Sequence, residues 1–317
     1  MRILITGVTG FAGGHLAEYL AHNSEAELHG LCRQAAWPES LAHLQDKVRL
    51  HPCDLTDAAS IGPHLQQVAP AQIYHLAGYA HAGQSFRDAE AAWNGNWLAT
   101  RRLYDAVEAW AGRCRILFVG SGLVYGHPDE LNHAHTENCP LLPANPYASS
   151  KSAADLMSYQ YTRFPGLDIV RARPFNHIGP RQSSQFAVAH FAKQIAAIER
   201  GEQAPVLETG NLSAMRDFTD VRDVVRAYVL LAQRGETGEV YNIATGAAHS
   251  MQEVVDRLLE LARCPIRVSP QPRLMRAVEM ATVRGDSSKL SAQTGWEPAF
   301  SFDQTLEDTL SAWRQRP

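Results

Sequence analysis

The residues best suited to chemistry in this sequence are Tyr147 and Lys151, in Asn145-Pro146-Tyr147-Ala148-Ser149-Ser150-Lys151. Asn145 suits an N-cap and Pro146 the first helical position, so the stretch opens a helix. Residues four apart share a helical face, which brings the phenol and the ammonium together. A phenol near pKa 10 is a poor acid or base at neutral pH. A neighbouring ammonium favours the phenolate and makes a usable proton donor and acceptor for carbonyl chemistry. Ten tyrosines and four lysines (Lys47, Lys151, Lys193, Lys289) would produce such a pair by chance about 0.1 times. Ser121, in Gly120-Ser121-Gly122-Leu123-Val124-Tyr125-Gly126, is the hydroxyl expected to hold the substrate oxygen beside Tyr147.

A second constellation opens the chain. Ile3-Leu4-Ile5 is a short apolar run, followed by Gly7, Gly10 and Gly13 and then by helical periodicity from His15 to Leu20. Strand, glycine turn and helix place a pyrophosphate on a helix N-terminus, where free N–H groups and the helix dipole favour an anion. Glycine is required where a Cβ would block the turn or the approach of the phosphates. Arg33 stands twenty residues after Gly13 with no acid beside it. An acid there would accept from a ribose 2′-hydroxyl, whereas a guanidinium suits a 2′-phosphate, so NADP(H) is expected over NAD(H).

The elements that must position these groups follow from periodicity. Residues 27–32, 48–51, 72–76, 115–120 and 168–173 read as further strands, and 16–22, 58–68 and 96–110 as helices between them. The alternation predicts an α/β protein with a Rossmann-like, doubly wound parallel sheet whose ligand sits beyond the carboxyl ends of the strands. A dinucleotide domain is expected over 1–175, with 220–243 returning to it. The remainder of 176–317, that is 176–219 and 244–317, forms a smaller C-terminal substrate-binding domain. Cys53-Asp54-Leu55-Thr56-Asp57 follows the third strand, and there Thr56 or Asp57 also suits a helix N-cap.

The form Thr-Gly-x-x-Gly-Phe-x-Gly over 6–13, with Ser121, Tyr147 and Lys151, resembles the extended branch of the short-chain dehydrogenase/reductase superfamily. The resemblance implies a Ser–Tyr–Lys triad, and a cofactor lined by Gly7, Gly10, Phe11, Ala12, Gly13, Arg33, Asp54, Leu55, Leu76, Ala77, Gly78, Tyr147 and Lys151. It also implies a homodimer through helices near 96–110 and 147–163. Further on stand Pro174-Phe175-Asn176-His177-Ile178-Gly179-Pro180-Arg181, Lys193, Gly210-Asn211-Leu212-Ser213-Ala214-Met215-Arg216-Asp217 and Arg276-Ala277-Val278-Glu279. These resemble the group of GDP-mannose 4,6-dehydratases and GDP-4-keto-6-deoxymannose reductases, the reductases most closely. That implies a GDP-linked 4-keto-6-deoxy sugar held by Ser121, Asn176, Arg181, Lys193, Arg216, Arg276 and Glu279.

Position 123 separates the chemistries of that group. Its dehydratases carry an acid there, which removes a C5 proton, and its epimerising synthases a cysteine, with a histidine at the place of Arg181. Leu123 can act as neither acid nor base. The resemblance therefore implies NADPH-dependent reduction of the C4 ketone of GDP-4-keto-6-deoxy-D-mannose to GDP-D-rhamnose. The alternatives are the C4 epimer, GDP-6-deoxy-D-talose, a nucleotide-sugar 4-epimerase with bound NAD, and a redox-sensing binding protein without turnover.

Bulk properties narrow the partners. The 317 residues can bury a large core, and a net charge of −4 gives no electrostatic reason to expect nucleic acid or anionic membranes. The apolar run at the N-terminus is too short for a signal peptide, and no stretch has the length of a membrane span. Five scattered cysteines (Cys32, Cys53, Cys114, Cys139, Cys264) suit a reduced, cytoplasmic protein. His133, His135 and Cys139 have metal-like spacing but no second pair, so no metal is expected. His15 and His177 are read as structural or solvent-contacting, without a partner.

Overall fold

The computed structural model describes residues 1–126, 134–275 and 280–316. Six strands form in chain order, β1 (Arg2–Thr6), β2 (Glu27–Cys32), β3 (Val48–Pro52), β4 (Gln72–His75), β5 (Arg115–Val119) and β6 (Asp168–Pro174). The helices linking them are α1 (Phe11–Asn23), α2 (Ile61–Val68), α3 (Ala89–Trp93), α4 (Ala99–Trp110) and α5 (Pro146–Arg163). The chain then leaves the sheet through β7 (Asn176–Ile178), α6 (Ala187–Glu199), β8 (Val206–Thr209) and β9 (Met215–Asp220). It returns by α7 (Val221–Arg234) to β10 (Val240–Ile243). The rest is β11 (Ala248–Ser250), α8 (Met251–Glu260), β12 (Arg267–Pro270), β13 (Thr282–Val283), α9 (Ser288–Thr294) and α10 (Phe302–Arg314).

The large sheet is parallel throughout, in the order β10-β6-β5-β4-β1-β2-β3. Because helices cover both faces, β1, β2, β5 and β6 are buried along nearly their whole length. Strands β1 and β5 do so as apolar runs, whereas β6 also buries Arg171 and Arg173, and the edge strand β3 is partly exposed. Alternate residues of β1 feed opposite cores. Ile3 and Ile5 pack with Leu16 and Leu20 of α1 and with Val224, Tyr228 and Leu231 of α7. Leu4 packs with Leu65 of α2 and with Leu103 and Val107 of α4. A separate core joins Phe191 and Ile195 of α6, Val254 and Leu258 of α8, and Leu306 and Leu310 of α10. Beside it, β9 pairs with β7, β11 and β13, and β12 with β8. Two-layer burial on each side of the sheet and a second core around β9 account for the two-part architecture.

Two helices differ from the periodicity reading. The stretch expected as 58–68 becomes helical only at Ile61, because polar side chains take the backbone groups before it. Asp54 and Asp57 accept the N–H groups of Thr56 and Ala59, and the Ser60 hydroxyl donates to the carbonyls of Asp54 and Asp57. Neither Thr56 nor Asp57 caps α2; its N-cap position is Ser60, which makes no side-chain cap. The helix expected over 96–110 is interrupted at its start by a π-helical turn, Asn94–Leu98, which turns Asn96 into the protein.

Candidate active site

The glycine turn after β1 is packed against the end of β4. Gly7 has φ +71°, and a Cβ there would stand 2.8 Å from the Ala77 nitrogen. At Gly13 a Cβ would lie 2.1 Å from the Gly7 carbonyl oxygen, so both positions exclude any side chain. Gly10 is the N-cap position of α1 and offers no side-chain cap. The first N–H groups of α1 therefore open outward as an anion cradle formed by Phe11, Ala12 and Gly13. A pyrophosphate suits this turn because the glycines let the chain close tightly behind the helix N-terminus, leaving its N–H groups as the anion-binding face.

Behind the turn runs a closed hydrogen-bond chain. The Ala77 N–H donates to Thr6 Oγ1 at 3.0 Å, and Thr6 Oγ1 lies 2.8 Å from His75 Nδ1. His75 Nε2 lies 2.9 Å from Thr100 Oγ1, whose own proton goes to the Asn96 carbonyl. Because Thr100 donates onward, it must accept from His75 Nε2–H, and His75 Nδ1 must accept from Thr6. The tautomer is thereby fixed. Burial drives this imidazole down to about 3, with the Lys151 charge adding to the effect, so it stays neutral.

At the other end of the cradle, Arg33 is exposed at the close of β2. It faces Asp54, whose carboxyl is held below its ordinary range by the Thr56 N–H and hydroxyl and then by the Arg33 charge.

Ser121, Tyr147 and Lys151 meet at the carboxyl ends of β4 and β5. Ser121 follows β5, is buried, and accepts the Leu123 N–H at 3.2 Å as cap of the turn Gly122–Tyr125. Tyr147 begins α5, which Asn145 caps through the Ala148 N–H at 2.8 Å, with Pro146 in the first turn. Burial pushes the Tyr147 phenol up, and its hydrogen bond with Ser121 pulls it back. Lys151 is buried, donates to the Val119 carbonyl at 2.9 Å and lies beside Gly78. Burial lowers it to about 8, and Asp155 opposes that fall. The two groups are thus moved apart in proton affinity: burial keeps the phenol protonated, as a proton donor requires, and outweighs the phenolate-favouring effect expected of the neighbouring ammonium.

Three supporting residues had not been singled out from the sequence. Ser85 accepts the Tyr147 N–H at 3.2 Å while donating to the Ala82 carbonyl. Asn96 donates to Ser150, which donates to the Tyr147 carbonyl, and Asn96 Oδ1 stands 2.6 Å from the Cβ position of Gly78. Asp155 lies one turn beyond Lys151. Only Asp155 had a signal in the sequence, its i,i+4 spacing from the lysine.

The groups expected on the substrate side are differently placed. Asn176 opens β7 opposite Phe218 of β9. Lys193 is exposed on α6, beside His190. Arg216 is buried and directs one amino group to the Met215 and Met280 carbonyls, both at 2.7 Å. Its neighbour Asp217 is architectural, accepting from Thr245 N and Oγ1, Gly246 N and Gly285 N. Arg181, at φ +72°, is engaged by Glu18 of α1 and donates to His15 Nδ1 at 3.1 Å.

His15 and His177 therefore do have partners, contrary to the reading above. His15 Nε2 donates to the Pro180 carbonyl at 2.9 Å, and burial, with Arg181, takes this histidine down to about 4. The His177 ring stacks on Phe11 at 5.9 Å, and the Phe11 ring meets His15 edge-on. Distant residues 176–181 fold back on α1, a contact that sequence spacing does not reveal.

Arg276, Glu279 and His133 lie outside the described residues. His135 stacks flat on Tyr125 at 5.2 Å, and Cys139 stays near the Thr136 hydroxyl. Among the described residues, no group of three or more His, Cys, Asp or Glu is arranged to hold a metal ion.

Over residues 4–309 the chain matches the family described as GDP-mannose 4,6 dehydratase. It is 36% identical over 315 residues to the GDP-6-deoxy-D-mannose reductase of Pseudomonas aeruginosa, covering 99% of this chain and 98% of that protein. It is 28% identical over 340 residues to the human GDP-mannose 4,6 dehydratase, covering 98% and 90% respectively. The structure of RMD from Pseudomonas aeruginosa complexed with NADPH superposes with a TM-score of 0.86 at 35% identity, covering 100% of this chain and 99% of that one. The UDP-glucose 4-epimerase of Thermus thermophilus, in complex with NAD, gives a TM-score of 0.87 at 27% identity, with both chains covered completely.

Proposed function

Because the chain belongs to the GDP-mannose 4,6-dehydratase family, we propose that it reduces the C4 ketone of GDP-4-keto-6-deoxy-D-mannose with NADPH, forming GDP-D-rhamnose. One observation carries the reading. Ser121, Tyr147 and Lys151 converge, while Leu123, in the same turn as Ser121, packs against the apolar cluster around Val124 and Phe175. The site has a proton donor for a ketone oxygen but no base at position 123 to remove a C5 proton.

NADPH, held by the turn Gly7–Gly13, Arg33, Asp54 and the segment Leu76–Gly78, supplies hydride when bound. Tyr147 gives its proton to the C4 oxygen, and the Ser121 hydroxyl holds that oxygen in line. Lys151, a buried cation, lowers the cost of the phenolate left behind. Asn176, Lys193 and Arg216, with Arg276 and Glu279, hold the GDP end of the substrate. Arg181 serves there by docking the 176–181 turn on α1. The protein works as a homodimer in the cytoplasm, covering Leu156 and Tyr159, which are exposed on α5.

The test is incubation with the 4-keto sugar and NADPH, followed by NMR of the product. A 6-deoxy sugar with C4 configured as in D-rhamnose is expected. A product with the opposite C4 configuration, or interconversion of nucleotide sugars with bound NAD and no net NADPH oxidation, would overturn the reading.

A further inference from the structure

We propose that Asp155 is a positioning residue for this reduction, supporting the Lys151 ammonium from one helical turn away and, through Arg173, fixing the turn that carries Ser121. The inference rests on the reductase reading of the site. Asp155 is completely buried and carries three charged hydrogen bonds from β6, Arg171 Nη1 at 2.7 Å and Arg173 Nε and Nη2 at 2.9 and 2.8 Å. Arg173 also donates to Tyr125 Oη at 2.9 Å, and Tyr125 donates to Asn242 Oδ1 of β10 at 2.7 Å. Tyr125 closes the turn that Ser121 opens.

The same carboxylate lies under the backbone between the two catalytic groups. A Cβ on Gly120 would stand 3.4 Å from Asp155 Oδ2. On one side of Gly120 is Val119, whose carbonyl holds Lys151, and on the other is Ser121. One buried side chain thus underlies the lysine's anchor, the serine's turn and the strand between them. Such a group keeps its partners in register because any displacement would leave buried charges unpaired.

The electrostatic surroundings make the idea testable. Lys151 is faced by Asp155 from its own helix, on which Tyr147 stands one turn before it, by the Val119 carbonyl of β5, by His75 from β4 and by Asn96 from the π turn. Asp155 is faced by Arg171 and Arg173 from β6 and by Tyr104 from α4, and it reaches Tyr125 only through Arg173. Its single negative charge stands among three cations, so removing it and removing a cation must act on Lys151 in opposite directions.

The experiment compares kcat against pH for the wild type, Asp155→Asn, Asp155→Glu and Arg171→Met, with circular dichroism confirming the fold. Asp155→Asn should move the alkaline limb of kcat down by about one pH unit, Arg171→Met should move it up, and Asp155→Glu should restore it. A merely structural role would lower stability in both variants and leave the limb in place; that outcome overturns the proposal. If Asp155→Asn does not fold, an unmoved limb in Arg171→Met overturns it alone. Absence of reductase activity in the wild type would instead sink the functional reading.

Discussion

Replacing Arg33 with alanine should erode the preference for NADPH. The guanidinium stands at the end of β2, exposed, and reaches Asp54 electrostatically across the end of β3. A charged hydrogen bond to a phosphate is worth about 1.5–3 kcal/mol when shielded from water. An exposed ion pair falls to about 1 kcal/mol or less. A bidentate guanidinium on a phosphate dianion belongs between these limits, at about 1–2 kcal/mol. That corresponds to a loss of about 5- to 30-fold in kcat/KM for NADPH, carried mainly by KM. NADH lacks the 2′-phosphate and should change less than about twofold. The assay is initial-rate reduction of the 4-keto sugar with each cofactor at low and high salt, because the Arg33 contribution should shrink as salt rises. Arg33→Lys should recover part of the loss, since it keeps the charge but not the fork. An unchanged NADPH/NADH ratio in Arg33→Ala, or an equal loss for both cofactors, would refute the assignment.

Other outcomes follow from the same geometry. Tyr147→Phe should lower kcat at least about 100-fold while NADPH still binds, as titration by fluorescence would report; near-normal turnover would remove tyrosine as the acid. Wild-type protein given GDP-mannose and NADP⁺ should form no 4-keto sugar, since position 123 is leucine, and robust formation would mean another base exists. His15 and His75 are held neutral, at about 4 and about 3, against an ordinary 6.5. The unfolded chain then binds more protons below pH 6.5, so their contribution is complete above that pH and declines as pH falls. Each contributes up to about 1.4 kcal/mol per pH unit, and His75→Gln should flatten the loss of stability between pH 7 and 5 in urea unfolding; an equal slope in both proteins would contradict this. Asp217→Asn should cost about 2–4 kcal/mol, because an amide cannot accept all four donors that converge there. A loss below about 1 kcal/mol would show that those bonds re-form elsewhere.

The sheet was legible because its physical signal is local. Ile3-Leu4-Ile5 and its counterparts are short apolar runs, and a parallel strand buried on both faces needs nothing more. Tyr147, Lys151 and the glycine turn were legible for a related reason, since spacing along one helix or one turn fixes their mutual position. What escaped was the product of contacts between distant segments. The late start of α2 depends on carboxylates capturing N–H groups, in competition with a good helical pattern. Asn96 gives no warning in a stretch that reads as uninterrupted helix, because the π turn that points it inward is set by packing against α5. Arg181 and His15 are more than 160 residues apart and meet only through the docking of the 176–181 turn on α1. The Asp of Arg216-Asp217 looked like part of a binding motif; its four donors come from two other segments, which no spacing could reveal.

The return of the chain to β10 bears on how this protein could be dissected. Strand β6 would be the edge of the large sheet without it: Arg171 N–H donates to the Glu239 carbonyl, and Phe175 N–H to the Ile243 carbonyl. A fragment ending at residue 175 would expose that apolar edge and strip Tyr125 of Asn242, inviting edge-to-edge association. The two halves are therefore unsuited to expression as separate pieces, and a split version would have to be reassembled from fragments produced together.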